Sequence, residues 1–163
     1  MNGRTDLVRY QPYKKSNVAY ALHIFNETDA RVPRKLLREI YTGILGKKSS
    51  LNIIFINDAL SKKLNLQYRK KNTPTNVLTF PGSAGSERGA MNRVPAEIYL
   101  TTNVIRKEAK HIGAPFSHRV AYLAIHGMLH LLGYHHGEKM EQREDKYATK
   151  YIYETKRGKH RGL

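Results

Sequence analysis

The apolar run from Val120 to Leu132 contains two histidines, and this combination constrains the fold more than any other part of the chain. A helix that is apolar on nearly every side is buried, and buried polar groups need partners. His126 and His130 are four residues apart, so a helix places both imidazoles on one face, one turn apart. A lone histidine in such a run is more often a hydrogen-bonded core residue, but a shared metal ion would satisfy both rings.

A third histidine, His136, follows a glycine. Six further residues of ideal helix would turn His136 away from His130, so it can join the pair only if the helix ends first. Gly133 can end it, because glycine adopts the left-handed conformation without a Cβ penalty. The sequence therefore predicts His126, His130 and His136 as ligands of one metal ion, with a fourth position open for an exchangeable ligand.

The same spacing occurs in the metzincin peptidases, whose motif reads HExxHxxGxxH. Their glutamate acts as general base toward the metal-bound water, but in this chain the position is Gly127, which cannot accept a proton. Proteolysis is therefore a minor hypothesis. Three neutral imidazoles leave the charge of a divalent metal undiminished, which favours an anion such as phosphate or a water of lowered pKa.

The charge of the chain favours a polyanionic partner. It has 29 Lys and Arg against 13 Asp and Glu, a formal net charge of +16. Each basic cluster alone would be an ordinary solvated surface, but together they favour nucleic acid, whose phosphates are bound with release of counterions. The clusters are Arg31, Arg34, Lys35 and Arg38; Lys47 and Lys48; Lys62 and Lys63; Arg69, Lys70 and Lys71; and Lys156, Arg157, Lys159 and Arg161.

The length of 163 residues indicates a single domain, 1–155, followed by a basic tail, 156–163, that we expect to be disordered. The chain has no cysteine, which excludes disulfides and thiolate ligands and fits a reducing compartment. No apolar segment approaches the roughly 20 residues that cross a bilayer, and the N-terminal residues lack the apolar region of a signal peptide. We expect a cytoplasmic protein that does not enter a membrane, and its oligomeric state stays open.

The hydrophobic pattern predicts an α+β fold, in which a mixed sheet of about four strands is flanked by four or five helices and the metal site lies at the end of a buried helix. Asn57 or Asp58 is expected to cap the second helix, and the segment 82–89 is expected to be a mobile loop. The predicted strands are 18–25, 51–56, 76–80 and 97–101, and the predicted helices are 33–45, 58–68, one that begins near residue 117, and 139–153.

A second informative segment runs from Leu64 to Pro81 and contains the stretches Asn65-x-x-Tyr68-Arg69 and PTNVLTFP. Together with HGMLHLLGYHH, these stretches resemble the bacterial YbeY family in order and spacing. Members of that family have Asn-x-x-Tyr-Arg, then Pro-Thr-(Asp/Asn)-Val-Leu-Ser-Phe-Pro, then HGxLHLxGYDH. Weaker similarity covers most of residues 51–145.

The resemblance implies a single-domain α+β protein that binds one Zn²⁺ through His126, His130 and His136. It also implies a single-strand-specific endoribonuclease that acts in 16S ribosomal RNA maturation and in ribosome quality control. As partners it implies the small ribosomal subunit with its assembly factors, among them a small GTPase and a ribosomal protein.

The resemblance also makes Arg69 the functional arginine, and a guanidinium near the metal would clamp a phosphodiester through two parallel hydrogen bonds. Taken alone, Arg69 beside Lys70 and Lys71 is more often a cation at a helix end. We expect all three to bind the RNA strand, with Arg69 also contributing to catalysis.

The chain departs from the family pattern at several positions. His135 replaces the aspartate of GYDH, Asn76 stands where many members have Asp, and Thr79 stands where they usually have Ser. A Leu-Gly-Asp-Ile stretch has become Pro-Ala-Glu-Ile, which makes Glu97 the carboxylate candidate for a general base or for a partner of the metal ligands, with a surface glutamate as the alternative. His135 could carry the proton instead, or it could compete with His136 for the metal.

The expected reaction is hydrolysis of a phosphodiester in single-stranded RNA. A weak general base is compatible with slow cleavage or with a 2′-hydroxyl nucleophile, which would restrict the substrate to RNA. The alternative keeps the metal as a structural ion in a non-catalytic RNA-binding assembly factor. Structural zinc sites usually have a fourth protein ligand, for which His135 is the candidate.

Overall fold

The computed structural model describes residues 21–46, 49–82 and 94–154, which form a four-stranded sheet and five α-helices. The predicted α+β class with a mixed sheet is confirmed. The elements are β1 (Leu22–Asn26), α1 (Arg34–Ile44), β2 (Leu51–Ile56), α2 (Asp58–Arg69), β3 (Val77–Phe80), β4 (Ala96–Thr101), α3 (Thr102–His111), α4 (Phe116–Leu131) and α5 (Glu138–Ala148), which continues into a π-helical turn at Thr149–Tyr153.

Most predicted elements agree with the structure to within about two residues. Asn57, rather than Asp58, caps α2, because its side chain accepts a hydrogen bond from the Leu60 N–H at 2.9 Å. Residues 18–20 of the first predicted strand, residues 83–89 of the predicted loop and the tail 156–163 lie outside the described residues.

Helix α3 was not predicted. It begins at Thr102, directly after the last residue of β4, so no turn residue marks the change from strand to helix. Its buried residues are Thr102, Ile105 and Ala109, and a stripe this small gives only a weak helical pattern.

The strands are ordered β1-β2-β4-β3 across the sheet. Strands β1, β2 and β4 run parallel, while β3 pairs antiparallel with β4 at the edge. All six residues of β2 are buried, as expected of a central strand covered on both faces.

Alternation along the strands divides the core into two clusters, one on each face of the sheet. The first face, which includes Ile98 and Leu100, packs against α1 and α4. The second face, which includes Tyr99 and Leu78, packs against Leu64 of α2. The histidine-bearing helix α4 therefore lies on the first face only.

Gly127 brings α4 close to the sheet. A Cβ atom at this residue would lie 2.9 Å from Cδ1 of Ile98 and 3.1 Å from Oγ1 of Thr79. Both distances are shorter than ordinary van der Waals contacts, so glycine is the residue that fits. The position that holds the catalytic glutamate in metzincin peptidases is, in this chain, a packing contact between α4 and the sheet.

Glu97 lies on the second face, away from α4, because it alternates with Ile98 along β4. Its Oε2 accepts a hydrogen bond from the Tyr99 hydroxyl at 2.8 Å. Burial raises the pKa of Glu97, although hydrogen bonds from Tyr99 and Asn52 lower it. The structure thus corrects the expectation that Glu97 stands beside the histidines, since the sheet separates them.

No helix in the three described ranges combines the length and the apolar character needed to cross a bilayer.

We expect Gly127→Glu to lower the free energy of unfolding by about 2 kcal/mol or more, because the side chain would displace Ile98 and Thr79 and force a carboxylate against the sheet. Urea denaturation at neutral pH measures this loss. Gly127→Ala isolates the steric part and should cost less, since alanine is favoured over glycine by about 1 kcal/mol inside a helix. An unchanged midpoint for Gly127→Glu would contradict the close packing.

We expect Glu97→Gln to raise the free energy of unfolding at neutral pH and to have a smaller effect on it at acidic pH. The pKa of Glu97 is raised from 4.5 in the folded state, so folding there favours the protonated form. Below pH 4.5 the carboxyl is protonated in both states, and the cost of burying its charge appears as the pH rises through the folded pKa. Urea denaturation of both proteins at acidic and neutral pH tests this, with exposed Glu39→Gln as control. A gain that is equal at both pH values would refute it.

Candidate metal centre

Helix α4 ends as its sequence predicts. Gly133 has a φ of +88°, its N–H donates to the His130 carbonyl at 2.9 Å, and the Tyr134 N–H donates to the Leu129 carbonyl at 3.1 Å. These paired bonds around a left-handed glycine form a Schellman motif. The motif reverses the chain and brings His136 back to the helix.

The three predicted ligands form one group. His126, His130 and His136 each offer a ring nitrogen, and these nitrogens all lie within 4.8 Å of one another. The Nε2 atoms of His126 and His130 are 3.0 Å apart. His126 and His130 are half-buried and His136 is exposed, so the group opens to solvent on the side of His136.

The Nδ1 atoms of two ligands are held by the protein. Nδ1 of His126 lies 2.5 Å from Oε1 of Glu144, and Nδ1 of His130 lies 2.9 Å from the Tyr134 carbonyl. With Nδ1 as the donor in both rings, Nε2 carries the free lone pair, which is the tautomer that binds a metal. The Tyr122 hydroxyl donates to Oε2 of Glu144 at 3.1 Å, so both carboxylate oxygens are engaged.

Burial favours the neutral form of His130 and the protonated form of Tyr122. Burial lowers the pKa of His130, although the hydrogen bond to the Tyr134 carbonyl opposes this effect. Burial and the charge of Glu144 raise the pKa of Tyr122 to about 12, so this hydroxyl keeps its proton at neutral pH. A neutral imidazole is the form that can donate a lone pair to a metal.

Two of the three histidines line a cleft of about 460 Å³ between β3, α4 and α5. His126 and His136 line it, together with an arginine, Arg119, and the exposed carboxylate of Glu141. Its other lining residues are Asn76, Val77, Tyr122, Leu123, Gly137, Met140 and Glu144. The cleft is therefore lined by two imidazoles, a guanidinium and an exposed carboxylate.

The basic residues predicted to bind the substrate lie elsewhere. Arg69, Lys70 and Lys71 are exposed at the C-terminal end of α2, and among the described residues they do not line the cleft. Lys70 adopts a left-handed conformation, with a φ of 60°, and ends the helix. The neighbouring Tyr68 ring packs against Phe80, with 4.8 Å between the ring centroids.

His135 is exposed and stands outside the group formed by its neighbour His136. The group of possible ligands contains His126, His130 and His136 and does not include His135, the fourth ligand considered from the sequence. The structure thus brings together His126, His130 and His136, but it brings neither His135 nor Glu97 to them.

The sequence analysis missed Glu144, which contacts His126 directly. A signal was present, because Met140, Glu144, Ala148 and Ile152 recur every four residues and are all buried. A carboxylate on the apolar stripe of a helix needs a partner, and the imidazoles were the candidates. Arg119 and Glu141 have no comparable signal, since only the packing of α4 and α5 places them in the cleft.

The residues present fit a zinc ion. Zinc prefers imidazole and thiolate ligands, and catalytic zinc sites commonly have three protein ligands with one open position. A carboxylate and a backbone carbonyl fix the rings from behind, as in the outer shells of metal sites. The three histidines are therefore able to bind a metal.

Comparisons with known proteins agree with this geometry. A protein-family model described as Endoribonuclease YbeY matches residues 22–155. Endoribonuclease YbeY from Ehrlichia chaffeensis is 36% identical over 95 residues, and Endoribonuclease YbeY from Chelativorans sp. (strain BNC1) is 33% identical over 108 residues. The solution structure of TM1509 from Thermotoga maritima has a TM-score of 0.59 and 26% identity, covering 88% of this chain and 97% of that one.

The relatives are matched over part of their length. The match covers 58% of this chain and 59% of the Ehrlichia protein, and it covers 66% of this chain and 66% of the Chelativorans protein. The family model itself extends over 22–155 and includes all three histidines of the metal centre. The chain therefore belongs to the YbeY family.

Proposed function

We propose that this protein is a zinc-dependent endoribonuclease that cleaves single-stranded RNA. The observation that carries the proposal is the group of three imidazoles, two of which line a cleft that also contains Arg119. The relatives named Endoribonuclease YbeY support the reaction class, and the formal net charge of +16 supports a polyanionic substrate.

His126, His130 and His136 would hold the zinc ion. When bound, zinc supplies Lewis-acid chemistry and lowers the pKa of a coordinated water. Glu144 and the Tyr134 carbonyl keep the rings in the tautomer required for binding. His136, the exposed ligand, leaves the site open toward the cleft and hence toward an RNA strand.

Other residues of the chain bind the strand and move protons. Arg69, Lys70 and Lys71, as exposed cations on α2, bind phosphates of the strand outside the cleft. Glu141 is the exposed carboxylate of the cleft, and it replaces Glu97 in our proposal as the group that accepts the proton from the nucleophile. His135 stays a candidate for carrying a proton between the site and solvent.

The biological setting is proposed from the family resemblance. We infer that the substrate is ribosomal RNA, that cleavage serves 16S RNA maturation and ribosome quality control, and that it takes place in the cytoplasm. The partners would be the small ribosomal subunit, a small GTPase and a ribosomal protein.

We expect the zinc-loaded protein to cleave a fluorescent single-stranded RNA and to lose this activity on chelation. His130→Ala removes a ligand and should lower the rate by about 100-fold or more. Glu141→Gln removes the proton acceptor and should lower it by about 100-fold. Arg69→Ala should act mainly on binding. Each protein is purified in parallel and assayed on the same RNA, with the exposed Glu138→Gln as control.

The outcomes of this assay separate the alternatives. Equal cleavage by every sample, including the chelated one, would mean a co-purifying nuclease and would overturn the proposal. Tight RNA binding without cleavage would favour the non-catalytic assembly factor with structural zinc. Cleavage of an unfolded polypeptide would favour the peptidase, an outcome that Gly127 argues against because glycine has no carboxylate to act as general base.

We expect Glu144→Gln to weaken zinc binding by about 10-fold to 100-fold, because the carboxylate that orients His126 loses its charge. Competition with a colorimetric chelator measures the affinity without any RNA. Glu138→Gln, an exposed substitution at the start of the same helix, is the matched control. Equal zinc affinities for the two variants would show that the contact between Glu144 and His126 does not support the metal.

A further inference from the structure

Arg119 lies in the cleft on the same helix as the metal ligands. It precedes His126 by seven residues, which is two turns and about 10 Å along the helix axis. Residues seven apart share a face, and both side chains line the cleft. The guanidinium is therefore displaced from the histidines along the length of the cleft.

The Arg119 guanidinium is held by two neighbouring side chains. Its Nε donates to Oε2 of Glu108 at 2.9 Å, and its Cζ lies 5.3 Å from the centroid of the Tyr122 ring. Within the described ranges, the side-chain hydrogen bond of Arg119 uses Nε, and the N–H groups of Nη1 and Nη2 make no hydrogen bond to the protein. A guanidinium held in this way presents its two terminal nitrogens as a fork, the geometry that binds phosphate oxygens in pairs.

Asn76, the residue just before β3, supports this arrangement. Its Nδ2 donates to Oε1 of Glu108 at 2.9 Å, so both oxygens of Glu108 are engaged, one by Asn76 and one by Arg119. An aspartate at position 76 would place a second carboxylate against Glu108. The asparagine that departs from the pattern of many family members thus fits the carboxylate that holds Arg119.

We propose that Arg119 binds a phosphodiester of single-stranded RNA, adjacent along the strand to the one at the histidines. Arg119 is then a positioning residue that fixes the strand in the cleft, with Glu108 and Asn76 as its supports. This inference rests on the proposed ribonuclease function and adds a second phosphate subsite to it. Arg69 binds the strand outside the cleft, so the two arginines have separate roles.

A purely structural role for Arg119 is the alternative, since the side chain links α3 to α4 through Glu108. Two substitutions distinguish the roles, because both remove the same ion pair. Arg119→Met removes the cation, while Glu108→Gln removes the anion and keeps a group that can hydrogen-bond. A structural role predicts that both variants change RNA affinity in the same direction. A phosphate-binding role predicts opposite directions.

The experiment measures binding of a fluorescent, 2′-O-methylated single-stranded RNA by anisotropy at several salt concentrations. The methyl groups block a 2′-hydroxyl nucleophile, so affinity is read without cleavage by that route. We expect Arg119→Met to weaken binding by about tenfold and to reduce the salt slope by about 0.7. Glu108→Gln should bind at least as tightly as the unmodified protein.

Matched control variants distinguish the loss of a local contact with RNA from the change in the net charge of the protein. Arg106→Met, at an exposed residue of α3, and Glu39→Gln, at an exposed residue of α1, make the same charge changes outside the cleft. We expect both to change affinity by less than about threefold, because exposed charges are screened. Thermal unfolding of all four variants identifies loss of folded protein, and affinities are compared at a temperature where each is folded.

Each outcome decides the inference. Arg119→Met binding like Arg106→Met would overturn it, as would weaker binding in both Arg119→Met and Glu108→Gln. Absence of saturable binding by the unmodified protein would also overturn it. These failures can be told from failure of the proposed function, which is read from cleavage of unmodified RNA. A protein that cleaves RNA but fails this test keeps its function and loses only the second phosphate subsite.

Discussion

The contact between Glu144 and His126 connects the metal centre to the rest of the molecule. Half of the residues of α4 are buried and none is exposed, so its imidazoles need partners within the protein. One partner comes from α5, whose buried stripe contains Glu144, and Tyr122 holds the same carboxylate from α4. Packing of α5 on α4 and orientation of a metal ligand are therefore one interaction. A change that loosens α5 would disturb the site even if every histidine stayed in place.

The sheet places residues that are adjacent in the sequence on opposite faces, where their surroundings differ. Alternation along β4 directs Ile98 toward α4 and Glu97 toward the second face. On the first face, Gly127 allows α4 to approach Ile98 closely and thereby fixes the height of the histidines above the sheet. On the second face, Glu97 shares a hydrogen bond with Tyr99. The two faces can therefore differ in role while sharing the same strands.

Periodic and local features could be predicted from the sequence, whereas contacts between distant segments could not. The central strand β2 is buried along its whole length, α4 is largely apolar from Val120 to Leu131, and Gly133 ends α4 in the expected left-handed conformation. These features depend on neighbouring residues, and so does the grouping of the three histidines. The position of Glu97 was misjudged because a motif gives spacing along the chain but not the face of a strand. The long-range pairs made by Glu144 and Arg119 depend on how α3, α4 and α5 pack.

The departures from the family pattern are best understood as a set. Asn76 is uncharged, whereas many members of the family have an aspartate at this position. In the structure Glu108 provides a carboxylate beside it, and Asn76 donates to that carboxylate at 2.9 Å. The carboxylate beside Arg119 thus comes from α3, and Asn76, just before β3, supports it without adding a second negative charge. Because an asparagine can donate to Glu108 where an aspartate would repel it, the residue at 76 and the acid at 108 constrain each other. The electrostatic character of the cleft can therefore persist while its individual residues change.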